Sequence, residues 1–386
     1  MSRWHSYLNN SVKIIRAYHG ETPFSIHLKD FFRREKKFGG TDRKWIRQFC
    51  FSFFRLGKAF PGISIEDSIK VGLFLCNNEN ADWIVLLNAD WKFYINKSQQ
   101  EKIEFLQDNY PGFAIENIFP FQNDLDKTID ARAFAASHLQ QPDTFIRIRP
   151  GKKELVLAAL KKKEISFCEV DEFCLAFMPD TKLQDVLQVG EDVIIQDYSS
   201  QIVHHFFRNI SPQKIWDCCA GSGGKSILAK DYFPDAALFV TDTRENILHN
   251  LSKRFREAGI AEYHLLVADL AKEKLQLDEK FDFVICDAPC SGSGTWGRSP
   301  ENLVFFSREK LNHYISLQRK IIENAIQQVG EKGYFLYITC SVYEEENNGA
   351  IEFILQNFPF NIVEKKMIQG YEHRADTMFA ALLQRK

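Results

Sequence analysis

The sequence predicts an α/β chain. Its residues 201–386 should fold as a doubly wound, mostly parallel, seven-stranded sheet that ends in an antiparallel hairpin. Three observations predict this. From about residue 200, short β-rich runs alternate with helical segments: KIWD (214–217), ALFVTD (237–242), YHLLVAD (263–269), FDFVICDAP (281–289) and GYFLYITCS (333–341). Repeated strand–helix–strand units imply a parallel sheet with helices on both faces. The last segment, FNIVEKKMIQGYEHRADTMFAALLQRK, reads as two strands able to close the sheet as a hairpin.

Upstream, residues 1–125 read as all-helical. Apolar residues recur at helical spacing in YLNNSVKIIRAY, IHLKDFFRREKKF and RKWIRQFCFSFFRLGKAF. Thr41-Asp42 resembles a helix start, and Gly57 sits near that helix's end. DSIKVGLFLC and DWIVLLNADWKFYI read as further helices, with the abundant phenylalanines as core. Between 130 and 200 the pattern becomes a small α+β module. TFIRIRP (144–150) alternates like a strand, KKELVLAALKKKEI is an amphipathic helix, FCEVDEFCLAFM reads as strands, and DVIIQDYSSQIVHHFF as a strand running into a helix. Cys168 and Cys174 in this module read as packing.

Composition excludes some classes. With 386 residues, 45% of them hydrophobic and 26% charged, the chain is an ordinary globular protein of two or three domains. No apolar run reaches membrane-spanning length, and the first twenty residues lack the apolar core of a signal peptide, so a cytoplasmic protein without membrane contact is expected. Nine cysteines without a C-x-x-C pair argue for reduced thiols and against a structural zinc site, so no metal is expected. A monomer is expected. The net charge of −2 hides an asymmetry, since residues 1–60 carry thirteen Lys/Arg against four Asp/Glu. A basic segment on a near-neutral protein points to a local polyanion contact.

The first strand of the α/β region ends in DCCAGSGGKS (Asp217 to Ser226). Glycines between strand and helix let backbone approach a ligand closely. A P-loop would need glycine where Cys219 stands, and a dinucleotide fingerprint needs it where Ser226 stands. Both fail by one residue, yet the turn still suits a nucleoside-bearing ligand. The next two strands end in Asp242 and Asp269. Acids at successive strand ends point into the crevice where α/β folds bind ligands. Asp242 could grip two ribose hydroxyls and Asp269 an adenine amino group. Together with the glycine loop they fit S-adenosylmethionine better than a nucleotide phosphate.

The fourth strand delivers Asp287-Ala288-Pro289-Cys290 and the fifth Thr339-Cys340-Ser341. Cytosine C5 is a poor nucleophile. Addition of a thiolate at C6 turns the ring into an enamine whose C5 can attack a methyl sulfonium, helped by a carboxyl hydrogen-bonding N3. A base must then remove the C5 proton, a step a second cysteine can assist. Cys290 and Cys340 in polar turns fit this chemistry. Cys286, inside the apolar strand, reads as packing. Arg298 and Lys225 are candidate contacts to RNA phosphate or the target base.

These motifs resemble the Nol1/Nop2/Sun (Fmu) family of RNA cytosine-C5 methyltransferases. DCCAGSGGK is similar to that family's D-x-C-A-A-P-G-G-K, DAPCSGSG to its D-A-P-C-S-G-x-G, and TCS follows in the expected order; VIIQDYSSQIV resembles its lead-in. The resemblance covers about residues 140–386. It implies a Rossmann-like S-adenosylmethionine-dependent domain with Cys340 as nucleophile and Cys290 as the cysteine needed for product release. It further implies that Asp287 binds the target base close to the cofactor. The cofactor site would be lined by Cys219, Ala220, Gly221, Ser222, Gly223, Gly224, Lys225, Asp242 and Asp269. The 130–200 module resembles that family's RNA-recognition-like domain. FGGTDRKWIRQFCFSFFRLGK resembles the helical NusB-like domain of its ribosomal branch, which favours small-subunit (16S) ribosomal RNA as substrate. Gly221-Ser222 departs from the family's Ala-Pro, and Gly297 replaces the first of an Arg-Arg pair, leaving Arg298 alone. The other readings are a tRNA cytosine-C5 methyltransferase, a retired RNA-binding assembly factor, and a DNA cytosine methyltransferase in which the cysteine after proline attacks. The retired-factor reading leaves Cys290, Cys340 and Asp287 without a purpose, and the TCS segment disfavours the DNA enzyme.

Overall fold

Three apolar runs in the C-terminal part of the chain, around Trp216, Val284 and Tyr337, are buried on both faces. Ile215, Phe283, Ile285, Leu336 and Ile338 share one buried cluster, while their neighbours Trp216, Val284 and Tyr337 are equally buried. Strands apolar on both faces must be covered on both faces, which is the condition of a parallel sheet between helices. The computed structural model describes residues 2–77, 82–272, 274, 275, 277 and 279–386. It divides into two compact units, residues 1–141 with 295–307, and residues 142–294 with 308–386.

The second unit opens with a four-stranded antiparallel sheet in the order β2-β3-β1-β4, from β1 (Thr144–Ile148), β2 (Cys168–Glu169), β3 (Cys174–Phe177) and β4 (Val193–Ile195). Helix Lys153–Lys162 buries Val156 and Leu160 against it. Cys174 is buried there, whereas Cys168 is exposed and so is not the packing residue its setting implied. The large sheet follows, from β5 (Lys214–Asp217), β6 (Ala237–Asp242), β7 (His264–Val267), β8 (Phe281–Asp287), β9 (Val329–Thr339), β10 (Phe360–Ile368) and β11 (Met378–Arg385). Its order is β10-β11-β9-β8-β5-β6-β7. β5 to β9 pair in parallel, β11 runs antiparallel to β9, and β10 antiparallel to β11. This is the doubly wound sheet and closing hairpin that the sequence predicts. From β5 the chain adds β6 and β7 on one side, then β8 and β9 on the other. The carboxyl ends of β5 and β8 therefore flank the switch point where such sheets open a crevice.

Two arginines, Arg147 buried and Arg149 half-buried, join the small sheet to the helix after β5. Arg147 Nη1 lies 2.5 Å and Arg149 Nη2 2.7 Å from the two carboxylate oxygens of Asp231, on helix Gly224–Tyr232.

The first unit is helical, with helices Arg3–Arg16, Phe24–Arg34, Gly40–Arg55 and Ile65–Cys76 at the expected places. Asp42 starts the third by accepting from the Gly39 N–H at 2.8 Å. DWIVLLNADWKFYI is not one helix but a 3-10 turn, Asp82–Leu86, and a short helix, Ala89–Tyr94. Asn88 between them is extended (φ −62°, ψ 156°) and interrupts the run. Residues 295–307, read from sequence as part of the 201–386 domain, belong to this helical unit, as do residues 126–141. Aromatic packing is the reason. Trp296 stacks on Phe119 at 5.2 Å, and Phe305 meets Tyr18 edge-on at 5.1 Å. No described helix is long and apolar enough to cross a membrane.

Candidate active site

The turn after β5 is shaped by glycine. Gly221 (φ +51°) and Gly223 (φ +84°) occupy left-handed backbone, and a Cβ on Gly223 would sit 2.7 Å from the Phe255 ring. The Gly221 N–H donates to Asp242 Oδ2 at 2.9 Å, tying the turn to the end of β6. Ala220 is buried, Gly224 opens the following helix, and Ser222 accepts from Arg254 through both its carbonyl and its hydroxyl. These residues shape the turn, while Cys218 and Cys219 line a cavity of about 480 Å³. Asp242, Asp269, Leu270, Asp287, Pro289 and Cys290 line it from the strand ends, and Tyr314, Leu317 and Ile321 from helix Arg308–Ala325.

The three strand-end acids have different partners. Asp242 accepts from the Gly221 N–H and from the backbone and guanidinium of Arg244, which hold its carboxyl below the usual range against the opposing effect of burial. A ribose would compete with Arg244, whose side chain is 60% exposed, for those oxygens. Asp269 sits 2.9 Å from Lys272, whose side chain is 80% exposed, and that contact lowers its pKa. Asp287 pairs with Lys225 at 3.2 Å, and the same ammonium donates to Ser200 Oγ at 2.7 Å. Lys225 is buried, so its geometry positions Asp287 rather than reaching out to a phosphate. Arg298 belongs to the helical unit and is not among the residues these strand ends bring together.

The two cysteines converge. Cys290 Sγ and Cys340 Sγ are 3.3 Å apart, both half-buried. Contact with Cys340 pushes the Cys290 thiol well above its usual value, with burial and the nearby Glu346 adding to the effect. The loop after β8 also clamps the Cys340 turn through backbone. Gly294 N–H donates to Cys340 O at 2.9 Å, and Thr377 N–H to Gly294 O at 2.9 Å. A Cβ on Gly294 would lie 1.9 Å from Thr377 O, so only glycine fits there.

Sequence reasoning missed the buried carboxylate that holds these turns. Glu346 accepts from the Ser291 N–H at 2.8 Å, from Gln318 Nε2 at 3.0 Å, and from the hydroxyls of Ser291 and Ser341. Burial raises its pKa while these donors oppose that rise. In the run YEEENN it looks like any solvated acid, and only its fully buried position separates it from Glu344 and Glu345. Glu346→Gln presents an N–H₂ group to donors. It is expected to shift both cysteine turns and to destabilise the fold by about 1.5–3 kcal/mol, the scale of a lost charge-assisted hydrogen bond, as measured by urea denaturation.

Asp217, at the end of β5, is fully buried and its pKa is pushed up to about 7 by burial; Ser226 donates to Oδ2 at 2.6 Å, while Oδ1 has no partner. The folded state therefore holds this proton more tightly than the unfolded chain. Its contribution to stability is complete below about pH 4 and declines as pH rises towards 7, with a slope approaching about 1.4 kcal/mol per pH unit. Asp217→Asn should remove that slope. Urea denaturation of both proteins between pH 4 and 8 measures it as the difference between two curves.

The large sheet and its strand-end crevice have the Rossmann-like fold. Residues 208–383 match the family model of 16S rRNA methyltransferase RsmB/F. Ribosomal RNA small subunit methyltransferase B of Xanthomonas campestris is 30% identical over 167 residues, 43% of this chain and 38% of that protein. The tRNA (cytosine(72)-C(5))-methyltransferase NSUN6 of Mus musculus is 28% identical over 182 residues, 43% of this chain and 37% of that protein. The crystal structure of PH0851 superimposes on 100% of this chain and 99% of its own, at 19% identity and a TM-score of 0.72. NSun6 from Pyrococcus horikoshii with SFG covers 70% of this chain and 99% of its own at 15% identity and a TM-score of 0.60. The chain spans about two fifths of the length of the curated relatives it matches. The similarity to these RNA methyltransferases lies in residues 208–383, a little under half of the chain.

Proposed function

We propose that the chain is an S-adenosylmethionine-dependent RNA methyltransferase that forms 5-methylcytosine, with small-subunit ribosomal RNA as its substrate. The observation that carries this is the pair of sulfurs 3.3 Å apart, contributed by two neighbouring strand ends, one of them lining a cavity with three carboxylates. The cavity fits the cofactor. Asp242 offers acceptors for ribose hydroxyls, Asp269 an acceptor for an amino group, and Leu270, Leu317 and Ile321 an apolar wall. S-adenosylmethionine, when bound there, supplies an electrophilic methyl group. One structural relative was solved with SFG, an analogue of it.

The chain's own residues do the rest. Cys340 adds as thiolate to C6 of the cytosine, breaking the C5–C6 double bond and making C5 nucleophilic. Asp287, oriented by Lys225, hydrogen-bonds the ring at N3 as charge builds there. After C5 is methylated, loss of the C5 proton expels the Cys340 sulfur and restores the ring, a step that Cys290 assists. The base must leave its stack to reach Cys340. In residues 1–60, twelve of the thirteen basic side chains are exposed, Arg55 being the buried one. They offer a surface for RNA backbone, as does the antiparallel module at 142–200. Ribosomal RNA in an intracellular particle makes the cytoplasm the site of action.

Purified protein should transfer a methyl group to one cytosine of small-subunit ribosomal RNA, read by bisulfite sequencing. Because NSUN6 is also similar, tRNA is the parallel substrate. Modification of tRNA alone would overturn the ribosomal assignment, and no 5-methylcytosine in either RNA would overturn the enzymatic one.

A further inference from the structure

Three further thiols meet under the same cavity, and methyl transfer uses none of them as nucleophile. The Sγ atoms of Cys218, Cys219 and Cys286 all lie within 4.8 Å of one another. The sheet register brings them together. Asp217 on β5 is paired with Ile285 on β8, so the next residues, Cys218 and Cys286, are neighbours across the strands, and the Cys218 N–H donates to Ile285 O at 2.9 Å. Cys286 and Cys218 are 0% and 2% exposed, while Cys219 is half-buried; Cys218 and Cys219 both line the cavity, which gives an access path from solvent.

We propose that Cys218, Cys219 and Cys286 form a binding site for one soft, thiophilic metal ion, with Cu(I) as the fitting case. Sulfurs bound to one ion at about 2.3 Å lie roughly 4 Å apart, so this spread needs only small side-chain shifts to close on an ion. Thiolates select Cu(I) or Zn(II) over hard cations. Zinc sites are almost always four-coordinate, and among the described residues this cluster offers three ligands. Binding forms three Cu–S bonds and releases the thiol protons to solvent, with no change of oxidation state. The absence of a C-x-x-C pair gave no hint of such a site, because its ligands come from two strands nearly 70 residues apart.

The test uses the full chain with Cys290→Ser and Cys340→Ser, which removes the neighbouring thiol pair as a competitor. Anaerobic titration with Cu(I) against a chromophoric chelator should leave one equivalent on the protein. X-ray absorption of that species should show three sulfur neighbours. Adding Cys286→Ala or Cys218→Ala should weaken retention by more than about 100-fold, beyond what losing an outer partner of a metal site costs. The proposal fails if the chelator keeps all the copper, or if retention is unchanged in both variants. It also fails if the absorption spectrum shows two sulfurs or a nitrogen–oxygen shell; this readout stands even where a variant does not fold.

Discussion

Replacing Cys340 with alanine should abolish methyl transfer, lowering the rate by at least about 10⁴-fold, the scale on which removing an enzymatic nucleophile acts. The reason is electronic. Without a sulfur on C6, C5 of cytosine carries too little electron density to attack a methyl sulfonium, and no carboxylate in the cavity replaces that bond. Cys290 stands 3.3 Å away, but its thiol is pushed up by its contact with Cys340, by burial and by Glu346, so it is poorly placed to act as the attacking thiolate. RNA affinity of Cys340→Ala, measured by filter binding, should stay within a few-fold of the parent protein. Retained activity with Cys340 gone would transfer the attack to Cys290.

The second large effect concerns stability. Asp231→Ala should destabilise the protein by about 3–5 kcal/mol, because it leaves charges buried without a counter-ion. Asp231 is 4% exposed, and the side chains of Arg147 and Arg149 are 7% and 17% exposed. Arg147 already has one buried nitrogen, Nη2, without a hydrogen-bond partner. Since this ion triad joins the small antiparallel sheet to the helix after β5, the loss should appear as a drop of roughly 10 °C in Tm. Added salt should restore little of it, buried pairs being weakly screened. Thermal and urea denaturation of the variant provide the check, and a loss under about 1 kcal/mol would show the triad to be dispensable.

Much of this architecture was legible in the residues. Parallel strands buried on both faces leave continuous apolar runs, as β5, β8 and β9 do, and acids at strand ends mark a crevice, so these strands and Asp242, Asp269 and Asp287 stood out. The meeting of Cys290 and Cys340 followed from assigning both to neighbouring strand ends. What was not legible depends on burial that spacing does not encode. Glu346 hides in an acidic run. Lys225 looks like a free cation in a glycine-rich turn until Asp287 and Ser200 are seen to enclose it. Residues 295–307 carry no compositional break, yet Trp296 and Phe305 pack with the N-terminal aromatics. Cys286 reads as filler in an apolar strand, and only the β5–β8 register sets it beside Cys218.

The central claim is a division of labour between two sulfurs, and Cys290→Ala tests it most directly. Incubated with substrate RNA and S-adenosylmethionine, this variant should accumulate a covalent protein–RNA species, seen as a shifted band on a denaturing gel and absent when Cys340 is also replaced. A shifted band from Cys340→Ala instead, with none from Cys290→Ala, would exchange the two roles and contradict the account.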